Sequence, residues 1–484
     1  MKALLLMFTL FFALAACGRG SADPREEPPY EPANEVSNDS VDCTPPSVST
    51  TAPTEEPHYT TAPPECPPVP LPPPTEDIYE PLVPRRVEGE DFQPEHFLCD
   101  FNYLMHTLRL NFPLFGPAYR RHRMDIDRIE AATVQAIMAQ NPSCPEAFSR
   151  LLQVHFFNPF RGFGHLYQNT YRSLHSFFAE IYRYGIDEHG NIIYEQTRVF
   201  YETMTAPAAL RFYGEITINI GEYESGMINP NNISTGIKVE SHVAYVNVRQ
   251  FNHYNIEHDK AIMFAFFEEI ADYNHLIIDL RQNTGGWPRY FYQIFAEPNI
   301  TAPLEWHVVE FFSSGRHSRK YSDAYIADLL NFRPEDLATV SGDAAAFIAK
   351  NDMRYFNRDD LDLLQNVAVW RYSIYPATGN RMFNGRFWIL VGPRSSSGVE
   401  MVATFARETG FATLVGEPTA GIMGAMTAYL LLPNSGIIVR YDFGYQTDQY
   451  GRSLEEFGVM PHYFNRPGMN ALQTVLAIIE EGAY

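Results

Sequence analysis

The stretch "RFWILVGPRSSSGVEMVATFARETGFATLVGE", Arg386 to Glu417, sets two apolar runs on either side of a helix-like run. "RFWILVG" is apolar without alternation, as a strand buried on both faces must be. Helical spacing runs from Gly398 to Arg407, Gly410 closes it, and "FATLVGE" returns as a strand. The same rhythm occurs upstream. "HVAYVNVRQF", which ends at Phe251, reads as a strand, "HDKAIMFAFFEEIADY" as a helix and "HLIIDL" as another fully buried strand. The latter ends in "RQNTGG", and Pro288 suits an early position of the next helix. Strands alternating with helices give an α/β core, placed at 241–484 with an insertion at about 300–383. The insertion reads as helical at "AYIADLLNF", "PEDLATV", "DAAAFIAKN" and "RDDLDLLQNV".

Working outward, residues 96–190 form a helical subdomain. Apolar spacing marks helices at 97–116, at 126–140 (stopped by Asn141-Pro142) and at "RSLHSFFAEIYRYG", closed by Gly185. Residues 191–240 read as short connecting strands, notably "RVFYETMT" and "EITINIGEY".

Residues 1–17 read as an export signal. Lys2 precedes an apolar run too short to span a bilayer comfortably, and Leu14-Ala15-Ala16-Cys17 resembles a bacterial lipobox with Cys17 as the lipidated residue. An ordinary cleaved signal with an incidental cysteine is the other reading. Residues 18–95 hold 19 of the 36 prolines, 17 acids and 4 arginines, so most of the formal charge of −22 lies here. Such a segment buries too little apolar surface to offset its ordering entropy and reads as a disordered tether. The chain is therefore expected on the outer or periplasmic face of a membrane. An acidic tether and few lysines argue against nucleic acid as a partner. Of the four cysteines after Cys17, Cys99 and Cys144 are the expected disulfide. None has CxxC or His/Cys spacing, so no metal site is expected, and no cofactor is implied.

Ligands of α/β sheets sit at the carboxyl ends of strands, where "LRQNTGG" and "GPRSSSG" both lie. Ser397 directly precedes a helix whose first N–H groups lack internal partners. A tetrahedral oxyanion formed by its attack would lie near the Gly398 N–H, with Gly285 or Gly286 offering a second donor. Alone, "SSSG" is equally an N-cap run, and "RQNTGG" an ordinary turn.

Together they carry a resemblance. "HLIIDLRQNTGG" is similar to the "IDLRxNxGG" segment of the C-terminal processing and tricorn-core serine peptidases, and "SSSGVEMVATFARETGFATLVGEPTAG" to their "SASASExxAxxLxxxGxAxxVGxxTxG". The early "DFNYLMHTLRLNFP" resembles the helical start of the tricorn-like, retinoid-binding-protein-like branch. The resemblance implies a crotonase-like (ClpP/crotonase-type) β-spiral core and gives the nucleophile's role to Ser397. In the processing-protease branch a lysine follows the "VGxxTxG" turn. Ile422 stands there and no lysine follows Lys350, so a Ser–Lys dyad on this motif is excluded. That branch's PDZ signature is also missing between 166 and 240.

The tricorn-like branch implies instead a histidine and a glutamate. "FRGFGHLYQ" supplies His165, although Gly164 stands where tricorn proteases have serine. "RSLEEFGVMPH" maps the glutamate onto Glu455, with Glu456 the competitor. His165 would take the Ser397 proton and Glu455 would orient the ring. The expectation is a membrane-tethered serine peptidase acting on peptide or unfolded protein, with an inactive binding lipoprotein on the same scaffold as the alternative. An esterase would require the absent "GxSxG" elbow.

Overall fold

The computed structural model describes residues 91–482, apart from 182–184, 188–190, 215–227, 314, 334–335, 378–379 and 425. The helical part opens with α1 (Pro94–Asn111), which has proline in its first turn and buries Phe97, Phe101, Leu104 and Leu108. α2 (Phe115–His122) and α3 (Ile126–Gln140) follow; the Asp125 carboxylate starts α3 by accepting from the N–H groups of Asp127 and Arg128. After α4 (Pro145–Leu152) come a tight corner at Phe163–His165, β1 (Tyr167–Gln168), α5 (Tyr171–Glu180), α6 (Glu195–Met204) and α7 (Pro207–Tyr213). The core runs β2 (Ile233–Val239), β3 (Val243–Val248), α8 (Ile256–Glu269), β4 (His275–Asp279), α9 (Pro288–Phe291), β5 (Leu304–Ser313), α10 (Arg316–Phe332), β6 (Leu337–Ser341), α11 (Ala344–Lys350) and β7 (Leu364–Ile374). It continues with β8 (Arg386–Val391), α12 (Gly398–Thr409), β9 (Thr413–Gly416), β10 (Thr427–Leu431), β11 (Ile438–Asp442), β12 (Gly444–Thr447), α13 (Leu454–Phe457), β13 (Tyr463–Phe464) and α14 (Ala471–Glu481).

Among the described residues the mixed α/β architecture rests on three sheets. The main one has the order β13-β9-β8-β4-β3-β2, parallel except for β2 against β3. Every residue of β4 is buried, which is why its sequence shows no alternation. One face packs Val243, Ile277, Trp388, Leu390 and Val415 against Ala471, Val475, Ile478 and Ile479 of α14. Each such aliphatic side chain contributes about 1.5–3 kcal/mol by leaving water. A second sheet, β12-β5-β7-β6, is antiparallel, and a third, β1-β11-β10, joins the helical part to the core.

Three expectations are corrected. "RVFYETMT" lies mostly in helix α6, not in a strand: Val199, Phe200 and Met204 form one buried stripe, and the Phe200 ring packs on Tyr429 and Tyr321 at 5.0 and 5.4 Å. Tertiary packing there overrides the β preference of aromatic and branched residues. "EITINIGEY" lies outside the described residues. The insertion is built on a sheet: β5 turns Trp306, Val308 and Glu310 inward at period two, and β6 and β7 cover much of "PEDLATV" and the end of "RDDLDLLQNV". Cys99 and Cys144 are not joined to each other. Cys99 is buried in α1 and Cys144 is half-buried ahead of α4, and the two helices meet instead through Phe97 and Phe148, whose rings lie 4.9 Å apart. Cys17, Cys43 and Cys66 lie outside the described residues.

The helices are fastened to the core by polar contacts as well as apolar ones. Buried Asp100 of α1 accepts the N–H groups of Asn434 (3.0 Å) and Ser435 (2.7 Å) and the Asn434 amide (2.9 Å) at the β10–β11 turn. Asp100→Ala strands those donors without water, and the expected loss is about 3 kcal/mol. Chemical denaturation of the two chains measures it; a change within about 0.5 kcal/mol would mean that α1 does not anchor this turn.

Candidate active site

The "GPRSSSG" and "LRQNTGG" turns leave neighbouring parallel strands, β8 and β4, at the same edge. Two of the three serines bolt the turns together. Ser395 Oγ donates to Leu280 O (2.8 Å), and Ser396 Oγ donates to Thr284 O (3.2 Å). Ser397 differs in kind. Its hydroxyl is buried without a hydrogen-bond partner, the residue is 2% exposed, and its backbone takes φ 57°, ψ −118°. A non-glycine residue there is strained by about 1–3 kcal/mol and persists when its surroundings fix it. The Ser397 N–H donates to Ile422 O (2.7 Å), and the helix α12 begins immediately afterwards. Gly285 takes φ 101°, and a Cβ there would lie 2.6 Å from Ser397 Cβ and 2.7 Å from Gly398 N. Only glycine permits this approach.

Of the expected oxyanion donors, the Gly285 N–H is committed to Asn283 Oδ1 (2.8 Å). The N–H groups of Gly286 and Gly398 carry no hydrogen bond, and the two residues are in tight backbone contact. They form the available pair.

His165 is 5% exposed and sits at φ 45° after Gly164 at φ 59°. β1 and β11 pair Tyr167 with Arg440, and continuing that antiparallel register sets His165 opposite Asp442. Nδ1 and Asp442 Oδ2 are 2.8 Å apart. An N–H on Nδ1 donating to the carboxylate leaves Nε2 as the proton acceptor. The sequence reading missed Asp442. Its signal was a strand, "IIVRYD", that carries Arg440 and Asp442 at alternate positions, both buried. The structure also explains Gly164: a Cβ there would lie 2.6 Å from the Phe112 ring, so a serine does not fit.

Glu455 is not brought to His165. Its Oε1 accepts the Gln446 N–H (3.4 Å) and its Oε2 the Ser453 hydroxyl (3.3 Å). Burial holds its carboxyl well above the usual range, and the charges of Asp442 and Glu310 add to that. Glu456 is spent on Arg120 of α2, 2.8 Å away, which also grips Asp360. The serine and histidine halves meet across the loop after β9. Ile422 O holds the Ser397 N–H, while Gly424, at φ 64°, lies so close to the His165 ring that a Cβ would collide with it. Glu400 of α12 clamps this loop by accepting from the Thr419 hydroxyl, Gly421 N–H (2.6 Å) and Ile422 N–H (3.3 Å). Burial pushes the Glu400 carboxyl up to about 7.

Residues 242–464 match the model of peptidase family S41, a little under half of the chain, and the resemblance read from the two turns is borne out. The family points to a serine-type peptidase. Among solved structures, the photosystem II D1 C-terminal processing protease is 15% identical with a TM-score of 0.30, over 50% of this chain and 49% of that one. This chain thus spans about half of that protein's length. A putative peptidase from Parabacteroides merdae ATCC 43184 is 14% identical with a TM-score of 0.40, over 80% and 97%. Mature CPAF complexed with lactacystin is 12% identical with a TM-score of 0.42, over 77% and 94%. No curated protein matches the chain.

Gly424→Ala should push the His165 imidazole aside while leaving every polar side chain at the site in place. The expected result is a fall of about 100-fold in the rate at which a fluorophosphonate modifies Ser397, as for a misplacement of about 1 Å. Thermal melting would show the fold retained, and an unchanged rate would place the working histidine elsewhere.

Proposed function

We propose that this chain is an exported serine peptidase that hydrolyses peptide bonds with Ser397, His165 and Asp442. His165 Nε2 takes the proton as Ser397 Oγ attacks the peptide carbonyl, and returns it to the leaving amine. Asp442 fixes the tautomer and stabilises the imidazolium, the role that motif reading gave to Glu455. The N–H groups of Gly398 and Gly286 would receive the oxyanion; losing one such donor typically costs about 100- to 1000-fold. Glu455 acts on the Ser453–Gln446 turn and not on the ring.

One observation carries this reading. Of three consecutive serines, two spend their hydroxyls on the neighbouring turn, while Ser397 is strained, buried and uncommitted beside a helix N-terminus. The crotonase-like spiral, the lipid at Cys17 and the tether to about residue 95 belong to the same proposal. They would hold the peptidase near the outer or periplasmic face of a membrane, acting on peptide or unfolded chains. No helix among the described residues is long and apolar enough to cross a membrane, so an anchor would come from the N-terminal segment.

Intact-mass labelling of the full chain with a fluorophosphonate tests the reading. The parent should gain one adduct, and Ser397→Ala and His165→Ala none. Asp442→Asn should slow labelling by about 1000-fold or more, as when a triad carboxylate is lost, whereas Glu455→Gln should stay within about tenfold. The reverse ranking would restore Glu455 as the orienting acid. Absence of labelling in a folded parent would favour the inactive binding protein.

A further inference from the structure

A cavity of about 480 Å³ lies between the paired strands β5 and β7 and the residues of α9 and the turn after it. A space of this order takes a small organic ligand. Its floor is aromatic. Trp306 of β5 stacks on Tyr372 of β7 with ring centroids 5.1 Å apart, and Tyr292 packs edge-on against Trp306 at 5.8 Å. Phe405 of α12 backs this floor, 5.0 Å from Trp306 and 5.3 Å from Tyr292. Phe405 stands about 12 Å along its helix from Ser397, so the cavity is separate from the turn that carries the nucleophile.

Cations and acids share the walls. With the Gln293 amide turned to present its oxygen, Arg289 Nε and Nη2 each lie 2.9 Å from it, which leaves Nη1. Burial pulls the Arg289 guanidinium below its ordinary value, and the charge of Glu297 only partly offsets this. Arg371 is exposed at the rim and makes no hydrogen bond or ion pair among the described residues. Of the acids, Asp336 is paired with Arg333. The Glu297 carboxyl accepts no hydrogen bond among the described residues, and that of Glu305 accepts only the Ser373 hydroxyl, at 3.5 Å. Two donors of the floor are orphaned: the Trp306 indole N–H and the Tyr292 hydroxyl are buried without a partner. The lining acceptor in the same position, Asp336 Oδ2, faces the Arg333 guanidinium, so it does not answer them. An indole nitrogen can only donate, and buried polar groups are nearly always satisfied.

We propose that this cavity binds a small zwitterion, an amino acid or dipeptide with an aromatic or branched apolar side chain. Its carboxylate is met by Arg371, Arg289 Nη1 and the orphaned donors, its ammonium group by Glu297 or Glu305, and its side chain by the Trp306–Tyr372 stack. A purely anionic ligand would leave the two acids facing it, and a purely cationic one would leave the floor donors unanswered. A ligand with both charges satisfies both sets. If the chain hydrolyses peptides, such molecules are among what it releases, but the binding does not depend on that reading.

The test titrates phenylalanyl-leucine into the full chain carrying Ser397→Ala, in which no bond is cleaved, with calorimetry and tryptophan fluorescence as readouts. The dipeptide should bind at millimolar concentration or below, and equally well to a parent chain whose Ser397 is blocked by fluorophosphonate. N-acetyl-phenylalanyl-leucine and phenylalanyl-leucine amide, each lacking one charge, should bind about tenfold more weakly or worse. Arg371→Ala, at an exposed position, should weaken the dipeptide about tenfold and leave the amide unchanged. Trp306→Phe should weaken the dipeptide as well; Arg371→Ala decides alone if that variant does not fold. Absence of binding at millimolar dipeptide overturns the proposal, as does an Arg371→Ala loss equal for dipeptide and amide. A signal that vanishes when Ser397 is blocked places the dipeptide in the catalytic cleft and overturns it too. None of these outcomes touches the peptidase reading, which fails by absence of labelling and would leave this site standing.

Discussion

The Ser395 hydroxyl on the Leu280 carbonyl joins two turns that the chain separates by more than a hundred residues, and the serine half of the site depends on that joint. β4 and β8 are parallel neighbours, so their exits lie side by side, but adjacency alone would leave two independent loops. The serine bonds and the glycine contacts make them one surface. Gly285 and Gly398 are then required by packing, because a side chain on either would meet backbone of the opposite turn. The strain at Ser397 follows from the same joint. Its neighbours leave no relaxed backbone, and of the first N–H groups of the helix that follows, those of Val399 and Glu400 are spent on the Ser396 and Ser397 carbonyls, which leaves that of Gly398.

The histidine half depends on a different constraint, the register of the two-residue strand β1 on β11. A slip of one residue would turn His165 to the other face. The corner before it needs Gly162 and Gly164 at positive φ, and Phe112 fills the space that a side chain at 164 would take. A carboxylate across the strand pair, that of Asp442, bonds the ring directly.

These constraints explain what could be read in advance. β4 and β8 are apolar on both faces, and Ser397 stands at a strand-to-helix turn, so both were visible in the local pattern. β5 and β7 were not: their alternation carries Glu310, His307 and Arg371 among aromatics and does not look like a buried strand. α6 misled because Val199, Phe200 and Tyr201 suit a strand equally well, and the deciding contact, Phe200 on Tyr429, lies far along the chain. Asp442 could not be found by motif, since its bond to His165 comes from a register between segments 277 residues apart. Glu455 was read as the acid orienting His165, and its oxygens accept instead from Gln446 and Ser453, because proximity in a motif does not specify which oxygen meets which nitrogen.

Neither half approaches the other without the loop from Thr419 to Gly424. Arg121 of α2 donates to the carbonyls of Thr419 and Glu455, each at 2.8 Å, and Glu400 of α12 holds the loop's N–H groups from the opposite side. One clamp comes from the helical part and the other from the helix that starts at the nucleophile. The loop contributes a carbonyl to Ser397 and a bare Cα to His165. A site whose base arrives from the helical part needs that part docked in one position, and the buried bonds of Asp100 and Arg121 are what a docking surface must have if it is also to set a catalytic distance.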